Sequence, residues 1–267
     1  MTPSTKAAFL AALFFSATSA RAADGIHITQ KTTIGDRTEI NQVQIEKDRM
    51  RAEMSIGRGG KQAIIFDGTK QVMWMIDAER KTYREMTKAD VDQMAGQMAS
   101  MRATMQEQMK NLPPEQRARM EAMMAGRGAA PEAATKIQYR KTGTDMVGKW
   151  PCVKYDGYRD DKKVSEVCTV DPRTLGFAMD DFQVTKELME FFGKLVPGQS
   201  ERMFEIGTGE NGGFAGVPVR TVFLAGQQPF TNEITGFVRE SFAPGTFDVP
   251  AGLQKESMFG GRGRGRQ

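Results

Sequence analysis

The stretch AIIFDGTKQVMWMIDAERKTYREMT, residues 63–87, decides how this chain is read. Ala63, Ile64, Ile65 and Phe66 are apolar at every position, as are Val72, Met73, Trp74, Met75 and Ile76, and Asp67-Gly68 between them is a turn signal. A strand that is apolar on both alternating faces must be covered on both. Val72, Trp74 and Ile76 then point to one side of the sheet and Met73 and Met75 to the other. Toward the N-terminus, Ile26 with Ile28, Val43 with Ile45, and Met50, Ala52 and Met54 keep a period of two, with breaks at Gly35-Asp36 and Gly57-Arg58-Gly59-Gly60. Residues 25–87 are therefore predicted as four successive strands of an antiparallel meander.

Beyond residue 87 the pattern changes. From 88 to 125 β-branched residues nearly vanish and Met, Gln, Glu, Ala and Arg dominate, all good helix formers. Met94, Met98, Met101, Met105, Met109 and Leu112 recur at steps of three and four, which at about 100° per residue holds them inside a stripe of roughly 60°. Pro113-Pro114 stops that helix, and Pro114 suits the first turn of a second one carrying Met120, Met123 and Met124. A Met-rich helical hairpin over 88–126 is thus inserted into a β protein, and it is the candidate cover for the second sheet face. Strands resume from Lys136. Asp180 or Asp181 can cap a further helix to about Leu195, with Phe182, Leu188, Phe191 and Phe192 on its apolar side, and alternating segments at 217–224 and 233–242 follow.

The two ends of the chain speak to location and charge. Lys6, the apolar run 7–15 and Ala20-Arg21-Ala22 have the form of a signal peptide, so residues 1–22 are expected to be cleaved and the mature protein to work in the periplasm. That run is far short of the roughly 20 residues a spanning helix needs, and no integral membrane segment is expected elsewhere. The formal charge of +4 comes from the ends: without Lys6 and Arg21 there are 35 basic against 33 acidic residues, and Arg262, Arg264 and Arg266 sit in a Gly/Arg tail at 260–267. A nearly neutral body argues against nucleic acid as a partner. The tail is too polar and simple to pack, and is a candidate contact for an anionic surface or an envelope partner protein. Cys152 and Cys168 are the only cysteines; in an exported chain an even count favours a disulfide, here across a β-hairpin at 150–170 with its turn in 159–163. They lack the Cys-x-x-Cys spacing of a redox pair.

Little in the chain suggests catalysis. His27 is the single histidine, near the predicted mature N-terminus, which leaves histidine-based metal sites and Ser-His or Cys-His nucleophiles without support. The Gly-rich pieces at 57–60 and 207–213 lack the Lys-Ser/Thr of a phosphate loop, and the carboxylates are scattered among basic residues. No cofactor and no enzyme activity are expected. The methionine stripe has three readings: ordinary adaptable core, the lining of a cavity for a variable apolar ligand such as a lipid or acyl group, or a set of soft Cu(I)-binding or oxidant-scavenging thioethers.

The segment 63–87, the Met/Gln helix ending MKNLPPEQRARMEAMM, the hairpin GKWPCVKYDGYRDDKKVSEVCTVDP and the ending GTFDVPAGLQ resemble bacterial exported proteins of the DUF4412 domain family, over about residues 25–258. That family is similar to the LolA and LppX-type periplasmic lipoprotein and lipid carriers. The resemblance implies an α+β fold, an incomplete antiparallel β-barrel with the Met-rich hairpin and one further helix on its concave face, as a single domain over 23–259. It also implies a non-catalytic role, an apolar ligand held between sheet and helix. Met94, Met98, Met101, Met105 and Met109, together with Trp74 or its alternating neighbours, are the expected contacts.

Overall fold

The computed structural model describes residues 25–56, 60–113, 115–117, 119, 137–193, 195, 207–209, 212–224 and 228–258. The expected signal peptide, most of the second helix of the hairpin with Met120, Met123 and Met124, and the Gly/Arg tail lie outside the described residues. Along the chain the elements are β1 (Gly25–Ile34), β2 (Arg37–Ile45), β3 (Arg49–Ile56), β4 (Gly60–Asp67), β5 (Val72–Asp77), β6 (Thr82–Thr87), α1 (Lys88–Lys110), β7 (Gln138–Val147), β8 (Trp150–Arg159), β9 (Lys162–Val170), α2 (Gln183–Gly193), β10 (Gly207–Thr208), β11 (Ala215–Phe223), β12 (Phe230–Glu240) and β13 (Gln254–Glu256). Two 3-10 turns, Pro172–Leu175 and Met179–Phe182, lead into α2.

Twelve of the described strands follow one path, β13-β6-β5-β4-β3-β2-β1-β12-β11-β9-β8-β7, and β10 lies off it, paired to β11. Every pairing is antiparallel except β13 with β6. The path has two ends, so the sheet is open and not closed into a barrel.

The N-terminal meander holds six strands, not four. The two additional turns, at 46–48 and 78–81, contain no Gly or Pro. Glu46 N–H donates to the Arg49 carbonyl at 2.8 Å in the first, and Lys81 takes a positive φ of 54° in the second. An ordinary residue in the left-handed region leaves no composition signal, which is why the pattern reads through these bends.

Both faces of β4 and β5 are covered, as their apolar runs require, but by different means. On one face Phe66 and Met73 belong to the main core with Met50, Met86, Val91 of α1 and Val184, Leu188 and Phe191 of α2. The Phe66 and Phe191 rings lie 5.4 Å apart at 60°. On the other face Ala63, Ile65 and Ile76 pack with Phe247, flanked by Trp74, Tyr83, Phe242 and Leu253. This second cover is the irregular segment 241–253, which leaves β12 in the middle of the sheet and delivers β13 to the edge of β6. Arg49 sits 4.9 Å over the Phe247 ring, and an Arg51 guanidinium N–H donates to the Thr246 carbonyl at 3.2 Å.

The disulfide between Cys152 and Cys168 is present, with the Cα atoms 5.5 Å apart. Because Lys154 pairs with Cys168 and Val153 with Thr169, Cys152 reaches its partner diagonally. The hairpin turns on Asp160 and Asp161, both at positive φ (48° and 58°), the conformation that lets two residues join antiparallel strands without splaying them. A register shift between Gly157 and Tyr158 sets the diagonal.

Candidate functional site

The methionine helix begins where β6 ends. Thr87 is its N-cap: the Asp90 amide donates to Thr87 Oγ1 at 3.2 Å, while the Thr87 amide donates to Asp90 Oδ2 at 2.8 Å. This reciprocal box satisfies two amides that helix geometry leaves without partners. Hydrogen bonds from the Thr87 hydroxyl and amide hold the Asp90 carboxyl below its usual pKa. At the other end Lys110 lies in the last turn, and Arg117 folds back so that its guanidinium donates to the carbonyls of Met109 (3.1 Å) and Lys110 (3.0 Å). A cation on those carbonyls also opposes the negative end of the helix dipole. Both ends are thus secured by side chains of the helix's own neighbourhood.

Between those ends the helix has little to lean on. Val91, 2% exposed, is its one buried residue, and Met94 packs at the margin of the main core. The same face then runs outward: Met98, Met101 and Met105 are 40%, 65% and 37% exposed, and Met109 is half-buried. Three turns of helix thus carry the apolar stripe into solvent. Among the described residues, the expected lid reaches the sheet through Val91 and Met94, and α2 supplies much of the remaining cover on this face.

Beneath the first turn of α1 the sheet is also methionine-rich. Met50, Phe66, Met73 and Met86 form one cross-strand row through β3, β4, β5 and β6, buried under the helices. The neighbouring row, Ala52, Ile64 and Met75, continues to Arg84, and Met54 lies just beyond; Ile64, Met75 and Met54 are half-buried. Arg84 makes an ion pair with Glu256 of β13 at 2.9 Å, which bounds this face on the β6 side. A hollow of about 180 Å3 is lined there by Met75, Gln62, Asp77, Thr82, Arg84 and Glu256.

Alternation along β5 places Met73 and Met75 on the helix-bearing face and Trp74 on the other, so Trp74 and the α1 methionines are not brought together. The Trp74 indole N–H donates to Glu85 Oε2 at 3.0 Å, and Lys255 of β13 meets Glu85 Oε1 at 2.7 Å. The Lys255 and Trp74 hydrogen bonds hold the Glu85 carboxyl below its ordinary value. Trp74 therefore helps to clamp β13 onto β6. On that same face a groove of about 390 Å3 lies between the strands and Pro250, lined in part by Ile40, Gln42, Arg51, Glu53 and Ala63. The Arg51–Glu53 ion pair at 2.8 Å makes its wall polar. No residue of α1 lines either hollow.

The His27 Nδ1 lies 2.8 Å from Glu240 Oε1, bracing β1 against β12. No group of three or more His, Cys, Asp or Glu side chains that could hold a metal ion occurs among the described residues. Among the described residues, no helix is long and apolar enough to cross a membrane.

No protein-family model matches the sequence. No curated protein matches it either. Among solved structures the chain is similar to an uncharacterized conserved protein from Thermus thermophilus, with 9% identity over 88% of this chain and 91% of that one and a TM-score of 0.45. It is also similar to a chain of the Pseudomonas aeruginosa MucA/MucB complex (12% identity, 86% of this chain and 57% of that one, TM-score 0.39). A third likeness is to LprF from Mycobacterium bovis (10% identity, 82% and 88%, TM-score 0.33). The chain thus spans little more than half the length of its match in the MucA/MucB complex. At such scores these likenesses decide neither family nor function.

Proposed function

We propose that this chain is a non-catalytic binding protein of the periplasm, built as a LolA-like half-barrel, that holds an apolar ligand such as a lipid or acyl group against the methionine face of α1. The observation that supports this most is the continuity of one helix face. It starts in the core at Val91 and runs outward through Met94 to Met98, Met101 and Met105, which stay exposed. Apolar surface left in water costs about 25 cal/mol per Å2, a cost that a ligand laid along the stripe removes. Methionine suits that task because its unbranched, polarizable side chain adapts to partners of variable shape. The half-buried Met54, Ile64 and Met75 on the sheet extend the same kind of surface under the helix's first turn. Trp74 enters only by bracing β5, β6 and β13 behind it. The disulfide agrees with an oxidising compartment.

Native mass spectrometry with organic extraction, on the mature protein from its own host, tests the reading. A co-purifying apolar molecule is expected, and M98E/M105E should lose it while keeping the wild-type circular dichroism and melting temperature. An empty wild-type protein, or a folded M98E/M105E that retains the molecule, would overturn the proposal.

A further inference from the structure

The outer half of α1 presents sulfur, not merely apolar surface. The chain has one histidine and two cysteines. His27 is engaged with Glu240, and both cysteines are oxidised to one another. Thioethers are therefore the soft donors left to this protein, and three of them stand in the open on successive turns. Met98, Met101 and Met105 are separated by three and four residues, spacings at which helical side chains are neighbours with Cβ atoms about 5–6 Å apart. Met101, in the middle, is the most exposed at 65%. Its flexible side chain can therefore share a cation with Met98 on one side or with Met105 on the other, the outer two being about 10 Å apart along the axis. A soft, polarizable thioether selects a soft monovalent cation over the divalent ions that prefer imidazole or carboxylate.

We infer that Met98, Met101 and Met105 form a thioether site for Cu(I). The inference stands apart from the proposed apolar ligand, because it depends on the sulfur atoms and not on apolar area. Leucine is close to methionine in volume and supports a helix equally well, so M98L/M101L/M105L keeps the apolar stripe while removing every donor of the site.

The test is calorimetric titration of the full mature chain with Ag(I) in chloride-free buffer. Ag(I) is a soft monovalent stand-in that needs no reductant and leaves the Cys152–Cys168 disulfide intact. The wild type should bind one Ag(I), and M98L/M101L/M105L should bind it at least tenfold more weakly with unchanged circular dichroism. Met73→Leu, a change in the buried row, should bind as the wild type does. Anaerobic competition for Cu(I) against a chromophoric chelator should rank the three proteins in the same order. A triple variant that binds Ag(I) like the wild type, or a wild type that takes up none, overturns the site. The extraction experiment separates the two proposals, since the leucine variant should keep an apolar ligand that M98E/M105E loses.

Discussion

The two helices of this protein use their residues in opposite ways. In eleven residues α2 buries Val184, Thr185, Leu188 and Phe191. In 23 residues α1 buries Val91 alone. Both carry an apolar stripe, so the difference lies in what the stripe meets: α2 lies on β3, β4 and the core, whereas α1 touches the sheet at its first turns and then passes beyond it. Helical length and periodicity therefore say little about contribution to stability, since most of a helix's stability comes from tertiary packing. In this molecule α2 is part of the core and α1 is an arm fixed at its base.

That contrast can be broken most forcefully from the α2 side. Phe191→Ala should cost about 3–5 kcal/mol in denaturant unfolding, because it empties the space against Phe66. A loss below about 1 kcal/mol would place α2 outside the core. A smaller effect is expected at the base of the arm. Thr87→Ala removes the cap and should cost about 1 kcal/mol, seen chiefly as faster amide exchange in the first turns of α1. The same turns should loosen on acidification. The Asp90 carboxyl titrates below its unfolded value, so its contribution is complete above that value and is lost as pH falls through the lower, folded one. Amide protection in that turn, taken relative to the intrinsic exchange rate at each pH, should fall below about pH 4, and D90N should remove that fall. Least of all should follow from Met101→Gln, within about 0.5 kcal/mol of wild type, since the side chain already faces water. A cost near that of Phe191→Ala would show that the stripe is structural after all.

The sequence made the local features legible and left the distant ones unread. Periodicity located the meander, the α1 stripe, α2 and the disulfide hairpin, because each is written in neighbouring residues. The double-sided apolar runs at 63–66 and 72–76 correctly required two covers. What they could not name was the second cover, since Phe242, Phe247 and Leu253 sit in a segment with neither a helical nor a strand period. The exposure of Met98, Met101 and Met105 was equally hidden: a stripe has the same period whether it meets a sheet or solvent. The register of the cysteine hairpin stayed open in the sequence for a related reason: the turn alone would set Cys152 opposite Thr169, and the shift at Gly157 and Tyr158, which no residue pattern announces, moves the pairing by one. Trp74 was separable from Met73 and Met75 by alternation alone, but which of the two sets faced the helix depended on contacts far along the chain.

The place of β1 in the sheet has a consequence for how the chain comes together. It lies between β2, its immediate successor, and β12, so that Gly25 pairs with Glu240 and Ile34 with Phe230. At the outer edge β6 likewise waits for Gln254–Glu256. As synthesis proceeds from the N-terminus, the first six strands and α1 all emerge while one flank of β1 and the edge of β6 still have open hydrogen-bonding groups. Closing such long loops is entropically costly and slow, and unpaired strand edges in the interval invite pairing with other chains. The segment from β12 to β13 is therefore the step that completes assembly, and a chain cut short before it would leave its oldest strand exposed.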